Sequence, residues 1–218
     1  MRIVYGIEQG LKALSRQAFL EDQASTKEVK DGIASIFGRS LTAHEVVSEI
    51  LSEVSRNGDK ALRYYTKIID GIEIDEFEIN VDDINAAVNS VDDSITGALN
   101  KAYDRVSDFY VSTLPKPWFD DAKGYGEVIR PIERVGIYIP GGRASYPSTV
   151  LMTAIPARVA GVKEIFIATP SQGDKGLNPV VLAASSIVGV DKIFNIGGAQ
   201  AIAAFAYGTE TIPKVDMI

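Results

Sequence analysis

The side chains able to do chemistry are few: the chain has a single histidine, His44, and no cysteine. Without cysteine there are no disulfides, thiolate nucleophiles or cysteine-ligated metal sites, which fits a reducing compartment. Enzyme zinc sites draw on imidazole, thiolate and carboxylate, and catalytic ones commonly use more than one imidazole. His44 sits in Thr42-Ala43-His44-Glu45, which reads as a capping box opening a helix. That makes it a first-turn surface residue, and nothing around it supports a Ser-His-Asp triad. The paired carboxylates Asp82/Asp83, Asp92/Asp93 and Asp120/Asp121 could suggest acid-base work. Adjacent residues on a helix do not face each other, so caps and turns are the better reading. No catalytic and no metal-binding residue is assigned.

What remains is glycine. Pro140-Gly141-Gly142 and Gly197-Gly198-Ala199-Gln200 each carry a glycine pair, which lets backbone N–H groups approach a phosphate without obstruction by Cβ. Ordinary turns use glycine too, and the fingerprint Gly-x-Gly-x-x-Gly is absent, so spacing alone leaves a nucleotide site and plain turns equally open.

The elements that would hold these loops can be read from periodicity. Up to about residue 128 the chain is mostly helical. Val46, Val47, Ile50, Leu51 and Val54 recur at helical spacing until Asn57-Gly58, and a second helix from Asp59 carries Leu62, Tyr65 and Ile69 up to Asp70-Gly71. Phe77 to Val81 alternates like a short strand. From Asp93, the stripe Ile95, Leu99, Ala102, Val106 and Phe109 predicts a helix ending before Pro115. Pro115, Pro117, Gly124 and Gly126 mark a change of character, and a boundary is placed near 128. Residues 129–218 then alternate strand and helix: Val135–Ile139, a helix from Ser148 as N-cap to Ala160 with Pro156 kinking it, and Glu164–Ala168. A helix capped by Asn178 with Pro179 behind it follows, then Lys192–Ile196 and a helix Ala199–Tyr207. This is the pattern of a parallel sheet, and the fold class is α/β. Ligands of such sheets sit beyond the carboxyl ends of the strands. That selects Pro140-Gly141-Gly142, Thr169-Pro170-Ser171 and Gly197 to Gln200.

The same loops carry a resemblance. Arg134 to Gly142, Tyr146 to Met152, Gly197 to Ala203 and Tyr207 to Asp216 are similar to histidinol dehydrogenase, in the right order. Gly58-Asp59-Lys60-Ala61-Leu62 agrees more loosely. The resemblance implies a mostly helical N-terminal segment, 1–128, packing with later sequence, followed by an incomplete Rossmann-like domain, 129–218. It implies a zinc- and NAD-dependent homodimer that oxidises L-histidinol to L-histidine by two hydride transfers. Tyr138 and Gln200 match the family's NAD-contacting tyrosine and glutamine; Arg143 is left without a role. The family's zinc ligands, Glu-His acid-base pair, substrate serine and a further cofactor asparagine lie beyond residue 218, so the chain alone is expected to be inactive.

Composition bounds the rest. A formal net charge of −7 without a basic cluster speaks against nucleic acid. No apolar run approaches the ~18 to 20 residues of a membrane span, and Met1-Arg2 opens no signal peptide; a cytoplasmic protein is expected. Two readings stand beside the favoured fragment of histidinol dehydrogenase. One is a fragment of a related zinc and NAD-dependent alcohol dehydrogenase, the other a non-catalytic nucleotide-binding module.

Overall fold

The structure, a computed structural model, describes residues 5–14, 27–141, 145–171, 173 and 176–218. Met1, Arg2, Gly142 and Arg143 lie outside them. The chain divides into two compact units, Met1–Glu49 and Ile50–Ile218, so residue 128 falls inside the second.

In the first unit, α1 spans Ile7–Leu14 and α2 spans Lys27–Phe37, the latter with no buried residue. The expected capping box is present at the start of α3, Ala43–Tyr65. Thr42 N–H donates to the Glu45 carboxylate at 2.7 Å, and Glu45 N–H donates to Thr42 Oγ1 at 3.2 Å. Donation from the Thr42 N–H and from the Thr42 hydroxyl holds the exposed Glu45 carboxyl below its usual range. His44 is exposed.

The stop expected at Asn57-Gly58 and the restart at Asp59 are both present, as a break in α3 with Gly58 at φ 47°, ψ −130°. Such a break leaves the restarted turn with unpaired N–H groups, and a distant residue supplies the cap. The Glu210 carboxylate accepts from Asp59 N–H at 2.7 Å, and Thr211 Oγ1 donates to Asp59 Oδ1 at 3.0 Å. The Gly58-Asp59 and Tyr207–Asp216 motifs, separate in sequence, are thus one contact. A π-turn, Thr66–Asp70, follows and is closed by Gly71 in the left-handed region.

Two expectations fail locally. Val81 opens a helix, α4 (Val81–Ser90), instead of closing a strand, because Asn80 caps it by accepting from Asp83 N–H. Only Phe77 to Ile79 are extended, bridging the edge of the sheet. Ser148 is not an N-cap. Pro147 already occupies the first turn of α6 (Pro147–Val159), with Tyr146 as cap residue and no side-chain bond, and the helix runs through Pro156. Proline is preorganised for the first helical position and takes it ahead of serine. The hairpin β1 (Trp118–Asp120) and β2 (Tyr125–Glu127) is an addition to the elements expected from the sequence, and the others stand within a residue or two of expectation: α5 (Asp93–Thr113), β3 (Arg134–Tyr138), β4 (Glu164–Thr169), α7 (Pro179–Val188), β5 (Lys192–Asn195) and α8 (Gly198–Tyr207). The carboxylates Asp92 and Asp120 serve as a cap and a turn acceptor.

The sheet is parallel, in the order β3-β4-β5. On its outer side β3 takes Met217 in a parallel bridge, with Gly136 N–H donating to Met217 O at 2.9 Å. Beyond β5, Glu78 pairs antiparallel with Phe194. Because strand side chains alternate, the two faces bury different sets. Val135, Ile137, Ile139, Ile165, Ile167 and Ile193 join one core with Leu99 of α5 and with α6 and α7. Gly136, Phe166 and Phe194 face the other way. There Gly136 lies against the Phe205 ring of α8, and the Phe166, Phe194 and Phe205 rings meet edge to face. Helices α6 and α7 therefore cover one face and α8 the other. The order of strand formation along the sheet is third, second, first and then the Met217 segment, so the direction of winding reverses beside β3.

Candidate functional site

Ligands of doubly wound sheets sit where the strand order reverses, beyond the carboxyl ends. Here that point is the end of β3, at Tyr138. As the last residue of the strand, Tyr138 points to the α8 face, and its hydroxyl accepts from Gly198 N–H at 3.2 Å. Gly197, the cap residue of α8, has no side chain to offer, so a tyrosine from a neighbouring strand takes one of the helix's unpaired donors.

The Gly197-Gly198 turn is glycine for steric reasons. Gly198 has φ 60°, and a Cβ there would stand 2.6 Å from Gln200 Oε1. A Cβ on Gly197 would meet Pro170 at 2.7 Å, and one on Gly141 would meet the same proline at 2.5 Å. All three loops selected from the sequence therefore converge on Pro170. Asn195 Oδ1 fixes the middle loop to the end of β5 by accepting from Ser171 N–H at 2.9 Å and from Ser171 Oγ at 2.8 Å.

Gln200 is brought to the same place from the other side. Its side chain is fully buried, its Nε2 lies 3.4 Å from Asp70 Oδ2, and its Oε1 has no partner among the described residues. Burial raises the Asp70 carboxyl above the usual range. Asp70 was read from sequence only as part of a helix end, and neither its type nor its spacing marks it for this contact. A separate cleft of about 290 Å³ is lined by Ile79, Asp83, Ala87, Leu177 and Leu182, together with Ser171 and Asn195. Tyr138 and Gln200 do not line it. Among the described residues no three His, Asp or Glu groups could together hold a metal.

A sequence profile for histidinol dehydrogenase matches residues 38–218. The chain belongs to the histidinol dehydrogenase family. Histidinol dehydrogenase from Methanococcus maripaludis is 50% identical over 176 residues, 79% of this chain and 41% of that protein. The Bacillus cereus enzyme is 43% identical over 221 residues, covering 100% of this chain and 48% of its own length. The crystal structure of histidinol dehydrogenase from Elizabethkingia anophelis superposes with a TM-score of 0.77 at 34% identity, over 82% of this chain and 42% of that one. The chain thus spans less than half the length of the histidinol dehydrogenases it matches. The matched residues include β3, both glycine pairs, Asp59 and Glu210.

Proposed function

We propose that this chain is the cofactor-side part of a histidinol dehydrogenase, an enzyme that oxidises L-histidinol to L-histidine in two steps with NAD and zinc. The observation that carries the reading is the meeting of Tyr138 and Gln200 at one glycine turn, at the point where the strand order reverses. These are the two positions that the family resemblance alone links to NAD.

The residues fit a dinucleotide. Two glycines leave a cradle that a Cβ would fill, a helix N-terminus faces it, and a buried carboxamide oxygen is unpaired. Tyr138 offers its ring to a flat base while its hydroxyl stays on Gly198. Gln200 offers its carboxamide; as it is buried, contact needs the Gly197-Gly198 turn to shift, which glycine permits. When bound, NAD supplies the hydride acceptor. Zinc is different, since the described residues offer it no ligand set; its ligands, the acid-base pair and the substrate pocket belong to the remainder of the complete enzyme. The account extends to an intertwined homodimer acting in the cytoplasm.

A chimera tests this. This chain would replace the matching portion of the Bacillus cereus enzyme, and NADH formation from histidinol would be followed. The expected result is turnover by the chimera and none by the 218 residues alone. A folded chimera that retains zinc and yet oxidises nothing would contradict the proposal.

A further inference from the structure

We propose that Asp70 is a positioning residue for the cofactor crevice: its carboxylate holds the Gln200 carboxamide by the nitrogen, keeping the oxygen turned toward Gly198. The assignment rests on the NAD reading for its functional meaning, but the Asp70–Gln200 relation stands on geometry.

An amide side chain has a donor end and an acceptor end of nearly equal shape, and only its partners decide which way it lies. Among the described residues the Gln200 side chain has one partner, Asp70 Oδ2, at 3.4 Å. An ionised carboxylate only accepts, so it selects the nitrogen. The oxygen is then left beside the exposed Gly198, within 2.6 Å of where a Cβ would stand, and unpaired. A buried acceptor without a donor costs on the order of 1–3 kcal/mol. Asp70 adds to that expense. It is half-buried with no cation paired to it among the described residues, and burial holds its carboxyl above the usual range. Its backbone is also unusual, being the last residue of the π-turn Thr66–Asp70, closed by Gly71 at φ 71°. Single π-turns concentrate at functional sites. Thr66, at the other end of that turn, is buried, and its hydroxyl has no partner among the described residues. None of this is what packing alone would select. It is what would be kept if the carboxamide must present an acceptor to a hydroxyl or amide donor of a dinucleotide lying on the Gly197-Gly198 turn.

The test uses the full 218-residue chain, labelled with nitrogen-15. The Gln200 side-chain signal is identified by its loss in Gln200→Ala. In Asp70→Ala it is expected to move to the position and exchange rate of a free glutamine amide. Asp70→Glu keeps an acceptor-only carboxylate and should restore it at least in part. In parallel, NAD affinity should fall roughly tenfold in Asp70→Ala, as for the loss of one hydrogen bond. It should recover at least in part in Asp70→Glu, and Asp70→Ala should add nothing in a Gln200→Ala background. A Gln200 signal unmoved by Asp70→Ala overturns the proposal, as do affinity losses that multiply in the double variant. If the wild-type chain binds no NAD, the cofactor reading fails, and the carboxamide signal still decides whether Asp70 positions Gln200.

Discussion

At the scale of the residue, the costs are concentrated at a few positions. Gly58 takes φ 47°, ψ −130°, and a Cβ there would stand 2.2 Å from Glu210 Oε2. Gly58→Ala should therefore lose at least about 2 kcal/mol of stability, through backbone strain and loss of the Glu210 cap. Urea unfolding measures it, and an unchanged midpoint would refute the clamp. Asp70 behaves oppositely. Its folded carboxyl is raised by burial, so the folded state binds a proton more tightly than the unfolded chain does. The penalty is present at neutral pH, shrinks as pH falls through the raised value and is gone below the ordinary aspartate value. Asp70→Asn should then raise the Tm at pH 7 and lose that advantage on acidification. A Tm lowered at pH 7 would mean that the charge stabilises the fold. Of the site, Tyr138 and Gln200 were legible only through family resemblance. Asp70 was not legible, because its role depends on an element 130 residues away in sequence.

At the scale of the element, the strands and helices of the second half were readable because punctuation and periodicity agree there. Asn178-Pro179 caps α7, Gly189 ends it, and each strand is a short β-rich run. The failures came where two local rules competed, as at Pro147-Ser148 and at Asn80-Val81. Periodicity could not supply the pairing of faces. The smallness of Gly136 is explained only by Phe205 lying on it, with a Cβ there 2.6 Å from the ring. Gly136→Ala should cost about 1–3 kcal/mol by overpacking, and Phe205→Leu in the same chain should relieve part of that cost. Additive losses in a double-mutant cycle would show that α8 does not seat on β3 in this way.

For the whole molecule, the apolar stripes read from the sequence are covered from within only in part, since Val47, Ile95 and Phe109 stay exposed. Leu99 is buried in the main core, with Ala102 and Val106 packed against it, and Ile50 and Val54 are buried. The apolar surface left open includes Phe109 of the Leu99 stripe and, beyond it, Val111, Trp118, Phe119, Tyr125 and Val128. Exposed apolar groups in such number favour association, so sedimentation velocity at low micromolar concentration should show the chain self-associating. Replacing Phe109, Trp118 and Phe119 by serine should shift it toward monomer, and a wild type that is already monomeric would contradict this. The central claim is that Tyr138 and Gln200 form a cofactor crevice at the end of β3, and calorimetric titration of the chain with NAD tests it most directly. The account predicts weak binding that falls further in Tyr138→Ala and in Gln200→Ala. Binding that neither substitution changes, or no binding at all, would contradict it.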